Sequence, residues 1–464
     1  TKVDQRDIDT LFEPKVLTDF KYVDQSGERT LTANDNIEFF DENGELKQNL
    51  LIKGNNLIAL HTLRQRLAGK VKLIYIDPPY NTGNDGFSYN DQFSHSAWLV
   101  FMNDRLRAAR DLLADDGIMM VQLDYHEVHY GKVLMDEIFG RDNFVNEIIW
   151  RYGKMNNTFR KFPSNHDNIL VYSKTPDEYT FNPQKTADSE YRNRFLRFLT
   201  GNKVLYGTVR SSADKLILGR ARRVQNELGR PLRDDDVLFD FDKEFKLQDD
   251  VFYDISIIKG NSAEKIENFT QKPEKLMERL IACCTAPGDI VLDYHLGSGT
   301  TAAVAQKMGR RWIGIEQMDY IETIAKERLK KVIAGEQGGI SKSVNWQGGG
   351  SFVYLELKKY NEDYKERILA AETATELDAI RDDMLRNAFL KFWINRKDLN
   401  RDWYDEEINE RKVELINMLD ENQLYLNYAD MNHAKYSVTA NEKALTDRFY
   451  GANDDSEDDD DGAN

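Results

Sequence analysis

Short apolar runs and longer amphipathic segments alternate through the middle of the chain. Val71 to Ile76 (Val-Lys-Leu-Ile-Tyr-Ile) is rich in branched and aromatic residues and stops at Asp77, which predicts a buried strand. Ser96 to Leu113 has helical spacing and is closed by Asp115-Asp116-Gly117. Ile118 to Leu123 predicts the next strand, and Val133 to Phe139 a helix ending at Gly140. Farther on, the pattern predicts a helix over Pro273 to Cys284, a strand over Ile290 to Asp293, a helix over Thr300 to Met308 and a strand over Trp312 to Ile315. This alternation predicts an α/β fold, a parallel sheet with helices on both faces. The first ~50 residues read as polar and irregular, with turn signals at Gln25-Ser26-Gly27 and Asn43-Gly44. A Gly-rich stretch, Gly335 to Gly350, ends the alternating part. Leu377 to Phe392 and Glu406 to Leu419 follow as amphipathic helices in a charged C-terminal region. Their apolar stripes can close on their own domain or on another subunit.

Composition changes this picture in two places. The chain has 464 residues, 41% apolar and 31% charged, with no apolar run long enough to cross a bilayer, so two or three domains and no membrane are expected. No signal peptide is visible in the polar segment Thr1 to Asp9. The two cysteines, Cys283 and Cys284, are adjacent in a helical run, poor disulfide partners, and no Cys-x-x-Cys pair is present for zinc. A cytoplasmic protein without structural metal is the expectation. The net charge of −17 argues against nucleic acid until its distribution is seen. Asp454 to Asp461 alone holds seven carboxylates and reads as a disordered tail. Arg151 to Arg233, by contrast, holds 17 Lys and Arg against 7 Asp and Glu, 17 − 7 = +10.

The chemistry-bearing residues follow predicted strands. Asp77-Pro78-Pro79-Tyr80 comes directly after one, at the strand ends where ligands of α/β sheets bind. Consecutive prolines hold the backbone extended and fix the direction of its carbonyls. An aromatic amine is a weak nucleophile because its lone pair is delocalised. The Asp77 carboxylate and the Pro78 carbonyl, each accepting one N–H, would favour a pyramidal nitrogen with a localised lone pair. Tyr80 offers a face on which a flipped base stacks, worth roughly 1–3 kcal/mol. A second motif, Asp293-Tyr294-His295-Leu296-Gly297-Ser298-Gly299-Thr300-Thr301, links a strand to a helix, and Glu316 ends the next strand. Its glycines admit close backbone approach and the helix start offers free N–H groups. Glu316 has the spacing of an acid that binds ribose hydroxyls. Gly338 to Ser343 lacks the glycine before lysine of a phosphate-binding loop, which leaves a nucleoside cofactor such as S-adenosylmethionine.

Together these residues resemble DNA amino-methyltransferases of the class in which the catalytic motif precedes the cofactor motif. The resemblance extends to the modification (Mod) subunits of type III restriction–modification systems through Leu51 to Asn56, Asp77 to Gly83, Thr270 to Pro273 and Gly314 to Tyr320. It covers roughly residues 45–180 and 250–450. It implies a Rossmann-like methyltransferase sheet interrupted by a target-recognition insertion, with a mostly helical C-terminal region. The expected organisation is a first half of the core at 1–150, target recognition at 151–250, the second half at 251–350, a helical accessory or dimerisation domain at 351–453 and the acidic tail at 454–464. The implied reaction is methyl transfer from S-adenosylmethionine to adenine in double-stranded DNA, with Asp77, Pro78, Pro79 and Tyr80 catalytic. Asp rather than Ser at the first motif position favours adenine over cytosine in this class. A catalytically idle DNA-binding subunit is the rival reading.

The same resemblance assigns cofactor binding to Asp293, Gly297, Gly299 and Glu316, with Ser298, Thr300 and Thr301 in the same turn and Thr270 and Lys272 joining the pocket. His295, where the family often has Phe packing against the cofactor, is expected to keep that packing role in the cofactor site. The basic stretch falls where this class inserts target recognition. Arg192, Arg194, Arg197, Arg220, Arg222 and Arg223 are its candidates for contacting DNA. Tyr191, Phe195 and Phe198 read as core rather than as stacking residues. A homodimer and a separate ATP-dependent restriction subunit are implied as partners, with Leu385, Phe389, Leu390 and Trp393 as a possible contact stripe.

Overall fold

The computed structural model describes residues 12–82, 94–153, 162–186, 194–241, 246–260, 262–266, 270–360, 362–387, 407–420 and 425–452. The chain divides into two compact units, Thr1–Thr180 with Tyr253–Asn464, and Phe181–Phe252.

The first unit is built on one mixed sheet. Its strands are β1 (Leu17–Asp24), β2 (Gly27–Thr30), β3 (Asn49–Lys53), β4 (Val71–Ile76), β5 (Leu113–Leu123), β6 (Phe144–Arg151), β7 (His166–Ser173), β8 (Ile290–Asp293), β9 (Arg311–Glu316) and β10 (Phe352–Leu357). Across the sheet from β6 the order is β6-β7-β5-β4-β8-β9-β3-β10-β1-β2. Pairings from β5 through β10 are parallel, and those of β6, β7, β1 and β2 are antiparallel. From β4 the chain moves outward to β5, and from β8 it moves the other way to β9. The crevice between the ends of β4 and β8 is therefore a topological switch point.

Helices α1 (Asn56–Leu67), α2 (His95–Leu112) and α3 (Val128–Phe139) share one core with alternate sheet residues such as Ile74, Ile76, Leu292, Ile313 and Ile315. The intervening residues Leu73, Tyr75 and Val291 are equally buried. Helices α4 (Glu274–Cys284), α5 (Thr300–Lys307) and α6 (Lys326–Ile333) pack together, with α4 touching β4 and α5 touching β8 and β9. Burial on both faces explains why these strands read as continuous apolar runs.

Several boundaries differ from the sequence reading. The polar start of the chain contains β1 and β2, joined at the predicted Gln25-Ser26 turn. The burial of β1 recurs every third residue around Asp19, whose φ of 48° breaks the alternation that marks a strand. The Gly-rich stretch does not end the core: β10 follows it and enters the sheet between β3 and β1. Helix α9 (Ala440–Tyr450) likewise joins the main core through Leu445, Phe449 and Tyr450. Between them, Glu362–Ala370, α7 (Ala374–Asn387) and α8 (Ile408–Asp420) form a small helical core around Leu377, Met384 and Leu415. Phe389, Leu390 and Trp393 of the expected contact stripe lie outside the described residues, as does the acidic tail.

The second unit has its own core of Phe195, Val204, Ile217, Val224, Leu238 and Phe239. A small antiparallel sheet of Leu199–Thr200, Lys203–Leu205 and Val237–Asp240 carries a helix, Lys215–Leu228, capped by Asp214 and ended by Gly229 at φ 62°. This unit starts later than the expected insertion at residue 151, because β6 and β7 belong to the main sheet.

Candidate active site

Three carboxylates end three neighbouring strands: Asp77 follows β4, Asp293 closes β8 and Glu316 closes β9. All three line one cavity of about 530 Å³. Of the residues expected from sequence, His295, Gly297, Ser298, Thr300, Thr301, Thr270, Lys272 and Pro79 also line it. Gly299 holds the N-cap of α5 at φ 79°, a conformation that suits glycine at this turn.

The cofactor-loop half is held by its own carboxylates. Glu316 accepts N–H bonds from Gly297 (3.0 Å), Gln317 (2.9 Å) and Met318 (3.1 Å). Burial raises its pKa against those donors. Asp293 accepts the Thr301 hydroxyl at 2.6 Å and the His295 N–H at 3.0 Å. Burial, with the charges of Asp77 and Glu316 adding to it, pushes this carboxyl up to about 7. Burial and the Arg105 guanidinium push His295 down to about 3, so its ring is neutral at neutral pH. The ring lies 5.9 Å from Phe101 and 3.4 Å from the Asn56 amide, a packing position. Gly314 permits the loop to lie down: a Cβ there would sit 2.7 Å from Leu296.

The catalytic-motif half is fixed from several elements. Trp98 of α2 donates its indole N–H to the Pro79 carbonyl at 2.8 Å, and no described residue donates to the Pro78 carbonyl. Asn81 accepts φ 59°, a left-handed conformation asparagine tolerates, and donates to the buried Glu127 at 2.6 Å. The Tyr80 hydroxyl donates to Asp77 Oδ1 at 2.5 Å. The Lys272 ammonium pairs with Asp77 Oδ2 and lies 5.4 Å from the centre of the Tyr80 ring. Burial disfavours the Lys272 charge, but Asp77 and Asp167 outweigh it and raise its pKa. Lys272 lines the cavity with the expected cofactor-loop residues, and its nitrogen pairs with Asp77. Sequence reasoning missed Trp98, Asp167 beside the Tyr80 hydroxyl, Gln122 and Tyr152 that donate to Asp167, and Arg105 that donates to Asn56, which no motif spacing connects to Asp77. Asn56 was visible only within a family motif.

In the second unit the expected DNA contacts divide. Arg194 pairs with Asp214 at 2.9 Å, Arg197 lies over the Phe198 ring, and Arg220 donates to the Leu238 carbonyl. Arg222 and Arg223 are exposed on the helix, and Arg192 and Tyr191 lie outside the described residues. Phe195 is fully buried, stacked 4.6 Å from Phe239.

Comparison with known proteins agrees on the class. Residues 71–327 match the family N6_N4_Mtase, described as DNA methylase. The chain is 37% identical to the probable type III restriction-modification enzyme HindVI Mod subunit of Haemophilus influenzae, over 96% of this chain and 72% of that protein. It is 38% identical to the EcoP15I Mod subunit of Escherichia coli, over 32% of this chain and 28% of that protein. Among solved structures, an M1.HpyAVI–SAM complex matches 60% of this chain and 98% of that one, at 20% identity and a TM-score of 0.38.

Proposed function

The chain belongs to the DNA methylase family, among the Mod subunits of type III restriction–modification systems, and from that premise we propose that it methylates the exocyclic amine of adenine in double-stranded DNA. The observation that carries this reading is the meeting of Asp77, Asp293 and Glu316 around one cavity, with Pro79 of the same Asp77-Pro78-Pro79-Tyr80 motif in its lining. The cavity fits S-adenosylmethionine, the cofactor of such an enzyme. Three carboxylates suit a cationic nucleoside, and the cavity's own lysine, Lys272, is committed to Asp77 rather than offered to a phosphate. When bound, the cofactor supplies an electrophilic methyl group on a positively charged sulfur.

Each residue then has a role. Glu316, held in place by three backbone donors and the Tyr320 hydroxyl, is the acid that ribose hydroxyls meet, taking the place of the Tyr320 hydroxyl. Asp293 places negative charge in the pocket above about pH 7, and neutral His295 packs beside Phe101. Asp77 and the Pro78 carbonyl receive the two amine N–H groups of a base flipped from the duplex, and Tyr80 stacks on it. Asp77 would hold the amine through one N–H and accept the proton that the nitrogen sheds. The Phe181–Phe252 unit reads the DNA sequence, and a second copy and a separate restriction subunit complete the assembly.

The test is direct. Incubating the protein with labelled S-adenosylmethionine and DNA, then hydrolysing the DNA to nucleosides, should yield N6-methyladenine. N4-methylcytosine in its place would overturn the choice of base.

A further inference from the structure

Resting on that reading, the geometry around Asp77 raises a question of occupancy. Both oxygens that should receive the base amine are engaged, Oδ1 by the Tyr80 hydroxyl and Oδ2 by the Lys272 ammonium. Tyr80 and Lys272 also face each other, so an entering base meets both. An amine N–H that takes the place of the Tyr80 hydroxyl on Oδ1 leaves that hydroxyl in want of another acceptor close by.

Asp167 supplies one. It is the second residue of β7, which runs antiparallel to β5, with Asn168 opposite Leu123 at the end of that strand. An antiparallel strand brings its beginning to the edge where its neighbours bring their ends, so Asp167 reaches the side of the sheet that carries Asp77. Its carboxylate is buried, with 5% exposure. Its oxygens are held by donors only: Tyr152 on Oδ1 at 2.8 Å and the Gln122 amide on Oδ2 at 2.8 Å. The Tyr75 hydroxyl donates to the Gln122 carbonyl oxygen at 2.7 Å, which turns the NH₂ end toward Asp167. The Tyr152 and Gln122 donors, one on each oxygen and with no competing acceptor, leave each oxygen a lone pair free to accept, although burial and the nearby Asp77 charge raise the pKa of the carboxyl. The Tyr80 hydroxyl stands 3.4 Å from Asp167 Oδ2, just beyond hydrogen-bonding length, so a shift of about 0.5 Å would complete the bond.

We propose that Asp167 is a positioning residue for methyl transfer: it takes over the Tyr80 hydroxyl, and shares the Lys272 charge, as the base amine takes Asp77. The hand-over needs no net proton movement. One O–H···O bond, from Tyr80 to Asp77, breaks and another, from Tyr80 to Asp167, forms. The Tyr80 ring is thereby fixed beside the base while Asp77 is released to it.

A double-mutant cycle tests this with single-turnover methyl transfer on DNA carrying the site mapped for the wild type. Asp167→Asn keeps the shape and removes the charge. It should slow transfer by about tenfold or more while cofactor and DNA affinities stay within about twofold. In Tyr80→Phe there is no hydroxyl to hand over, so adding Asp167→Asn should change the rate by less than about threefold. Asp167→Ser gives a second reading of the cycle should the asparagine variant fail to fold. A variant at the wild-type rate, or the same fold-loss in both backgrounds, overturns the proposal and leaves Asp167 a support of the sheet. Wild-type protein that leaves DNA unmethylated overturns this inference and the proposed function together, and is seen before any variant is made.

Discussion

At the scale of single residues, the proposed roles separate the groups that bind from the group that reacts. Asp77→Ala should reduce methyl transfer by at least about 10²-fold, the usual cost of losing a positioned polar group at a reacting centre. Cofactor affinity, measured by titration calorimetry, should stay nearly unchanged, because the proposed function turns that carboxylate to the amine. Glu316→Gln should weaken the cofactor first, and an unchanged dissociation constant would remove the ribose assignment. Asp293 adds a pH dependence whose sign follows from its raised pKa of about 7. Below that pH the carboxyl is protonated and offers no charge to a sulfonium; above it the charge is present. Cofactor affinity should therefore rise between about pH 6 and 8, and Asp293→Asn should flatten that rise. Stability of the ligand-free protein runs the other way. A carboxyl raised above its unfolded value contributes most at low pH, and this contribution fades as pH rises through about 7. Asp77, Asp293 and Glu316 were legible because each stops an apolar run. Trp98, Lys272 as partner of Asp77, and Asp167 were not, because α2, the turn before α4, and β7 meet only in the folded sheet.

At the scale of elements, the glycine-rich loop stands on a buried charge cluster. Glu274 of α4 bonds both Lys307 of α5, at 2.8 and 3.0 Å, and Arg328 of α6, at 2.9 Å. Arg328 also donates to the Thr300 hydroxyl at 2.7 Å, tying three helices to the turn that opens α5. Arg328→Ala leaves Glu274 short of one partner in a dry site, which typically costs about 3–5 kcal/mol. Urea unfolding should show a loss of that order, and cofactor affinity should fall with it. A change below about 1 kcal/mol would show that water or a neighbouring side chain replaces the guanidinium. The same region shows why one element escaped the sequence. The glycines of 335–350 read as a separator, yet a Cβ on Gly348 would lie 2.7 Å from the Ile333 carbonyl, and the Gly349 N–H bonds that carbonyl at 2.8 Å. They mark chain packed tightly against the end of α6 before β10 enters the sheet. Local composition cannot tell a close approach from a linker, since both select glycine.

At the scale of the whole chain, chemistry and sequence recognition are assigned to different units, and that assignment can be tested by exchange. The net charge of −17 conceals a helix that carries Lys215, Arg220, Arg222 and Arg223 against Glu227. Ile217 and Val224 point it into its own core, while Arg222 and Arg223 stay exposed. An arginine that meets only phosphate weakens binding evenly across sequences when removed, and lowers the salt slope by about one. An arginine that reads guanine costs about 1–3 kcal/mol at one base pair and relaxes the site there. Arg222→Ala and Arg223→Ala, compared on mapped and scrambled DNA over a salt series, should each fall into one of these patterns. Equal affinity in both variants would remove this helix from the DNA contact. The decisive experiment replaces residues 181–252 with the corresponding unit of a relative, cutting at the boundaries of the compact unit rather than at residue 151, so that β6 and β7 stay in their sheet. Because Asp77, Asp293 and Glu316 all lie in the other unit, the chimera should keep its cofactor affinity and its methylated base. Sequencing of DNA from cells expressing it should show methyl groups at a new sequence. A folded chimera that still modifies the original site would move recognition out of this unit and into the sheet that holds the catalytic motif.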